Sequence, residues 1–175
     1  MAFDARAERG LDYRLGMLAL LLVAASLATA LAYQYIGGYP PCELCYLQRY
    51  AYYASLPLLF LALVLSAGRS GGWAAAIFFI VALAFLANAG LGVYHAGAEW
   101  KFWPGPSTCS GDQGVATSAS SLLQDLQNTK IVRCDEPSLR VLGLSFAGWN
   151  VVTSLILMAL TLRAAFAASE RSRAA

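Results

Sequence analysis

The chain has 175 residues, of which 59% are hydrophobic and only 13% charged, with a formal net charge of +2 and a mean hydropathy of +0.58. A water-soluble domain carries roughly 25% charged residues, so composition excludes an ordinary soluble globule, and the net charge is too small to imply a nucleic-acid partner, so none is expected. What remains is an integral membrane protein.

Crossing roughly 30 Å of hydrocarbon takes about 20 mostly apolar residues. Four segments qualify, at about 15–36, 46–66, 73–94 and 142–162. An isolated strand would leave its backbone groups unpaired in lipid, so each is expected to be a helix. The fold class is therefore all-α, a bundle of four transmembrane helices forming a single domain over residues 1–175. Ala and Gly are abundant along the spans and allow close helix packing. Pro57 falls inside the second span and is expected to kink it. Ala28-Thr29-Ala30 has the form of a signal-peptidase site. Asp4, Glu8 and Asp12 stand among the preceding arginines, however, and the apolar run continues past Ala30, so the first span is expected to be retained.

The connections are unequal. Residues 37–45 form a short first loop, 67–72 a tight turn, and 95–141 one long loop. Within the long loop, Leu122, Leu123 and Leu126 of "SSLLQDLQN" share a face, as in a short amphipathic helix lying on the bilayer or packed on the loop itself. With four spans both termini lie on one side. That side, together with the 67–72 turn, holds Arg6, Arg9, Arg14, Arg69, Arg163, Arg171 and Arg173; the other holds Arg49, Lys101, Lys130, Arg133 and Arg140. The excess places the termini in the cytoplasm. All four cysteines, Cys42, Cys45, Cys109 and Cys134, then face outward.

Thiols on that side of a cytoplasmic membrane meet an oxidising compartment and form disulfides. Cys42 and Cys45 have the Cys-x-x-Cys spacing of redox pairs and lead straight into the second span, where a helix amino-terminus stabilises a thiolate. Arg49 follows Cys45 at i+4 on the same helical face, a permanent cation for a thiolate or a reduced acceptor. Cys109 and Cys134 are 25 residues apart in the long loop. An exposed disulfide there would be open to attack by an external thiol, and a structural staple explains the spacing equally well. Four cysteines allow three connectivities.

His95, the single histidine, ends the third span. That span runs outward while the second runs inward, so His95 and Arg49 match in depth, and both are candidate cofactor contacts. Zinc is not expected: there is no second Cys-x-x-Cys, and an oxidising compartment works against free thiolates. Tyr46, Tyr50, Tyr53, Trp73, Trp100 and Trp103 fit interfacial belts, and Glu43 fits a solvated charge. No Gly-rich nucleotide loop follows a strand, and Tyr46 after Cys45 rules out a haem attachment motif. A lipid-soluble electron acceptor is what this leaves.

The motifs "PCELCYLQR" at 41–49, "YHAGAEWKFWPGPSTC" at 94–109, "CDE" at 134–136 and "LGLSFAGWN" at 142–150 resemble those of the bacterial disulfide bond formation protein B family. Those proteins are quinone-dependent thiol oxidases of the inner membrane. The resemblance implies a four-helix bundle and a quinone, ubiquinone or menaquinone, near the outer face; the chain is expected to be monomeric. It also implies a periplasmic thioredoxin-fold dithiol oxidase of the DsbA type as partner. Resting disulfides would be Cys42–Cys45 and Cys109–Cys134. The partner's thiol would attack Cys109, the released Cys134 would attack Cys42, and Cys45 would face the quinone beside Arg49. His95 matches a family histidine near the quinone ring. Gln48 departs from the pattern, standing where some members carry an acid, as do Pro137 and Leu139, where a more aromatic run is expected. Two other readings use the same features. The vitamin K epoxide reductase family also pairs four helices with a quinone, but its Cys-x-x-Cys comes after the loop pair. A non-enzymatic tetraspan protein would explain a stapled loop but would leave Cys42, Cys45 and Arg49 without a role.

Overall fold

A computed structural model of the chain describes residues 10–68, 70–106, 134 and 139–174. Four long helices dominate it: α1 Leu11–Tyr35, α2 Glu43–Ala67, α3 Gly71–Glu99 and α4 Phe146–Arg173. Each is long and apolar enough to cross a membrane. Neighbours around the bundle run α1–α2–α3–α4 and back to α1. Little of each span is buried, because the apolar side chains outside the core face lipid rather than one another. Leu21, Phe60, Ile80 and Leu155 are all exposed.

The core runs down the middle of the bundle, through Val23 and Leu27 of α1, Leu59 and Leu63 of α2, Phe78, Val81 and Phe85 of α3, and Leu157 and Ala164 of α4. Small residues set the spacing, as packing between helices in lipid requires. A Cβ on Gly16 would lie 2.6 Å from the Phe78 ring, and one on Gly92 would lie 2.8 Å from Val151 Cγ2. At the end away from the cysteines, Asp12 is fully buried. It pairs with Arg171 Nη2 at 2.8 Å and accepts from the Ser66 hydroxyl, which joins α1, α2 and α4.

The helix ends differ from the sequence expectation in ways that matter to the site. The second helix opens at Glu43 rather than 46, because Cys42 is its N-cap: Cys42 Sγ accepts from Cys45 N at 3.2 Å. It then continues through Pro57. The third helix runs to Glu99, a full turn past His95. It stops in a Schellman arrangement, with Lys101 left-handed at φ 63°, Lys101 N bonded to Ala98 O and Phe102 N to Gly97 O. The fourth helix does not start at 142. Leu142 and Gly143 are both left-handed, at φ 53° and 83°, and turn a two-residue hairpin between β1 Arg140–Val141 and β2 Leu144–Ser145. Ser145 then caps α4 by accepting from Gly148 N at 3.2 Å, and the helix extends to Arg173. The stretch 120–128, where an amphipathic helix is expected, lies outside the described residues.

Candidate active site at the cysteine end of the bundle

The start of α2, the end of α3, the hairpin and the start of α4 meet at one end of the bundle. Cys42 and Cys45 are joined as a disulfide with their Cα atoms 5.1 Å apart. Cys42 is buried and Cys45 half-buried. This follows from the cap: a residue at N-cap and a residue in the first turn face each other across one turn of backbone.

His95 stands over Cys42. Its Nε2 lies 3.7 Å from Cys42 Sγ and 3.8 Å from Glu99 Oε1, one turn further along α3. Its Nδ1 lies 2.9 Å from the Gln48 side-chain nitrogen. The ring also hydrogen-bonds the backbone of Cys134. Cys134 was expected in an exposed loop, but it is 2% exposed and packs in one apolar cluster with Cys42 and Leu44. Cys134 is itself disulfide-bonded. Cys109 lies outside the described residues, and so does the expected 109–134 pairing.

A cavity of about 610 Å³ opens beside the disulfide. Cys45, Arg49, His95 and Glu99 are on its wall at one end. From Tyr33 it follows α1 back to Leu22, a distance of about 16 Å at helical rise. Most of its lining is apolar, and the polar exceptions converge. Tyr33 Oη, Glu99 Oε2 and Asn150 Nδ2 belong to wall residues and are buried without a hydrogen-bond partner among the described residues. Tyr52, also on the wall, donates to Asn150 Oδ1 at 2.8 Å and sits 3.0 Å from Thr153 Oγ1.

Arg49 reaches the cavity, but its hydrogen bonds run across to α1 rather than to a sulfur. It donates to Gln34 Oε1 at 2.5 Å and to Ala30 O at 3.3 Å, and its guanidinium lies 5.6 Å from the Tyr46 ring centre. Among the described residues no carboxylate pairs with it, so its charge is held at the wall by neutral acceptors.

The family model for disulfide bond formation protein DsbB matches residues 13–164. The chain belongs to the DsbB family. It is also similar to a curated protein of Rickettsia prowazekii (strain Madrid E) named "Uncharacterized protein RP370", with 25% identity over 152 residues, 83% of this chain and 84% of that one. No solved structure matches. Membership makes the chain a multi-pass membrane oxidoreductase of disulfide formation, and the matched region takes in the redox pair, all of α2 and α3 and most of α1 and α4.

In this DsbB-family chain the six candidate residues divide by position. Cys42, Cys45, Arg49, His95 and Cys134 converge at one end of the bundle; Cys109 is outside the described residues. The sulfurs of Cys42 and Cys45 and a nitrogen of His95 lie within 4.8 Å of one another. The two sulfurs are bonded to each other, so this trio offers no thiolates to a metal. Sequence reasoning missed Gln48 and Glu99. Gln48 stood out only as a departure from the family pattern. The signal for Glu99 was its i+4 spacing from His95, which puts both on one face once the helix is known to continue past 94.

Proposed function

We propose that this DsbB-family protein reoxidises a periplasmic thioredoxin-fold dithiol oxidase of the DsbA type and delivers the electrons to membrane quinone. The observation that carries the reading is that Cys45 of the Cys42–Cys45 disulfide forms part of the wall of the 610 Å³ apolar cavity. The volume is within the range of roughly 300–1,000 Å³ usual for small-molecule sites. The unpartnered atoms of Tyr33, Glu99 and Asn150 fit a ligand that is mostly apolar with a few polar groups. Ubiquinone or menaquinone, when bound, supplies an acceptor for two electrons and two protons.

The chain's own residues carry the rest. The partner's thiolate attacks Cys109 and leaves Cys134 as a thiol. Cys134 then attacks Cys42, against which it packs; the Cys42–Cys134 bond forms, the Cys42–Cys45 bond breaks, and the electron pair leaves on Cys45. The thiol proton of Cys134 passes into the polar group around His95, whose ring bonds the Cys134 backbone. Arg49 holds positive charge at the wall where the Cys45 thiolate appears. The partner's second thiol attacks its mixed disulfide with Cys109, so the partner leaves oxidised and Cys109 becomes a thiol; Cys109 then attacks Cys134, which re-forms Cys109–Cys134 and frees Cys42 as a thiol. The Cys42–Cys45 disulfide re-forms as those two thiols give up two electrons and two protons to the acceptor in the cavity. The enzyme lies in the bacterial inner membrane with both termini cytoplasmic and the cysteines periplasmic, as the arginine distribution favours, and acts as a monomer.

The test is quinone reduction by purified protein in detergent, with a reduced thioredoxin-fold oxidase as donor. Turnover that is abolished in both Cys45→Ser and Cys109→Ser supports the relay. Turnover that survives either substitution, or its absence in folded protein over several donors and quinones, overturns it.

A further inference from the structure

The surroundings of His95 determine where its proton sits. Two atoms face Nε2, the Cys42 sulfur at 3.7 Å and Glu99 Oε1 at 3.8 Å, and both are acceptors. A bare Nε2 would point its lone pair at a carboxylate oxygen and a sulfur. That arrangement favours the hydrogen on Nε2, which leaves Nδ1 of the neutral ring as an acceptor. The group at Nδ1 is the side chain of Gln48, 2.9 Å away and buried, with its amide nitrogen toward the ring. A glutamine can supply a donor there. A carboxylate cannot, and would draw a proton onto Nδ1 instead. The other groups near the ring are the Cys134 backbone and, beyond Glu99, Arg140 and Ser145 of the hairpin.

We propose that Gln48 is a positioning residue that locks His95 in the tautomer with hydrogen on Nε2, and that this N–H, with the Cys45 backbone N–H, stabilises the thiolate of Cys42 when the pair is reduced. The helix cap gives Cys42 Sγ one donor at 3.2 Å, and the locked histidine gives it a second. The same helix amino-terminus adds its partial positive charge. Cys42 thus has two donors aimed at its sulfur, and it shares one apolar cluster with Cys134. The functional weight of the lock rests on the proposed cycling of this disulfide, but its test needs neither quinone nor partner.

His95 is the chain's single histidine, so protein labelled with ¹⁵N-histidine gives one set of ring signals. In the wild type, the Nε2–H tautomer is expected over the neutral pH range. Gln48→Leu removes the donor and is expected to give a tautomer mixture. Gln48→Glu, nearly isosteric, is expected to protonate Nδ1 and keeps the test alive if the leucine variant fails to fold. The second readout is iodoacetamide alkylation of Cys42 against pH in a background with Cys45, Cys109 and Cys134 replaced by serine. Loss of the lock is expected to slow Cys42 alkylation at neutral pH roughly fivefold to tenfold, the scale of one charge-assisted hydrogen bond. A wild-type ring protonated on Nδ1 would overturn the proposal. Unchanged ring signals and alkylation in both folded variants would do the same. Either result would leave the quinone reading standing, because that reading fails only on turnover.

Discussion

His95 Nε2 lies 3.7 Å from the sulfur of Cys42, and the two residues come from different helices, α3 and α2, 53 positions apart in the chain. The contact exists because α2 starts at its cysteine cap while α3 continues one turn beyond the histidine. Replacing His95 with Phe keeps a ring but removes the N–H. The Cys42–Cys45 disulfide is expected to form as before, while thiol-driven turnover falls about tenfold, the equivalent of one hydrogen bond to a charged group. Mass-spectrometric thiol counting and a turnover assay on the same sample check both halves.

Gly97 holds the end of α3 against Trp103. A Cβ there would lie 2.0 Å from the indole ring, which also stacks on Tyr94 and donates to Tyr94 O at 2.9 Å. Gly97→Ala is expected to displace Trp103 and lower stability by about 1–3 kcal/mol. Gly90→Ala is the control, since nothing lies within 4 Å of its added Cβ; it is expected to be neutral or to stabilise by up to about 1 kcal/mol. Thermal unfolding of both variants in the same detergent makes the comparison.

Leu142 occupies a left-handed turn position that suits Asn or Gly, and its side chain is 87% exposed. Leu142→Asn removes the strain and loses no packing. It is expected to stabilise the hairpin by roughly 1 kcal/mol, measured as slower amide exchange at Val141 and Leu144.

At the opposite end, Arg171→Met would leave the buried carboxylate of Asp12 without its cation, and is expected to cost about 3–5 kcal/mol. The double variant Asp12→Leu, Arg171→Met removes both charges and is expected to be more stable than the single one. A double-mutant cycle by thermal or denaturant unfolding tests this. A double variant whose cost equals the sum of the costs of Asp12→Leu and Arg171→Met alone would mean that the pair is not coupled.

Much of the architecture was legible because apolar runs of membrane length admit few backbone solutions. The same rule hid the start of α4. "LGLS" at 142–145 is apolar enough to read as helix, and only the left-handed backbone of Leu142 and Gly143 and the Ser145 cap turn it into a hairpin. The spacing of Cys42 and Cys45 marked a redox pair while the family resemblance implied their disulfide, and the depth of His95, level with Arg49, came from counting helix direction. Gln48 and Glu99 were not legible as site residues, because their roles depend on the rotation of α2 against α3, and one sequence does not determine that rotation. The burial of Cys134 was missed for a related reason. Its contacts are with Cys42, Leu44 and the His95 ring, all distant in the chain.

The central claim is that the Cys42–Cys45 pair empties into the cavity beside it. The most direct measurement is a single anaerobic turnover without any partner protein. Quinone-free protein with Cys109 and Cys134 replaced by serine is reduced, freed of reductant and mixed with one equivalent of quinone, and thiols and quinol are counted. One quinol per protein, with Cys42–Cys45 re-formed and the reaction lost in Cys45→Ser, is the expected result. Folded protein that keeps both thiols while quinone stays oxidised would contradict the account.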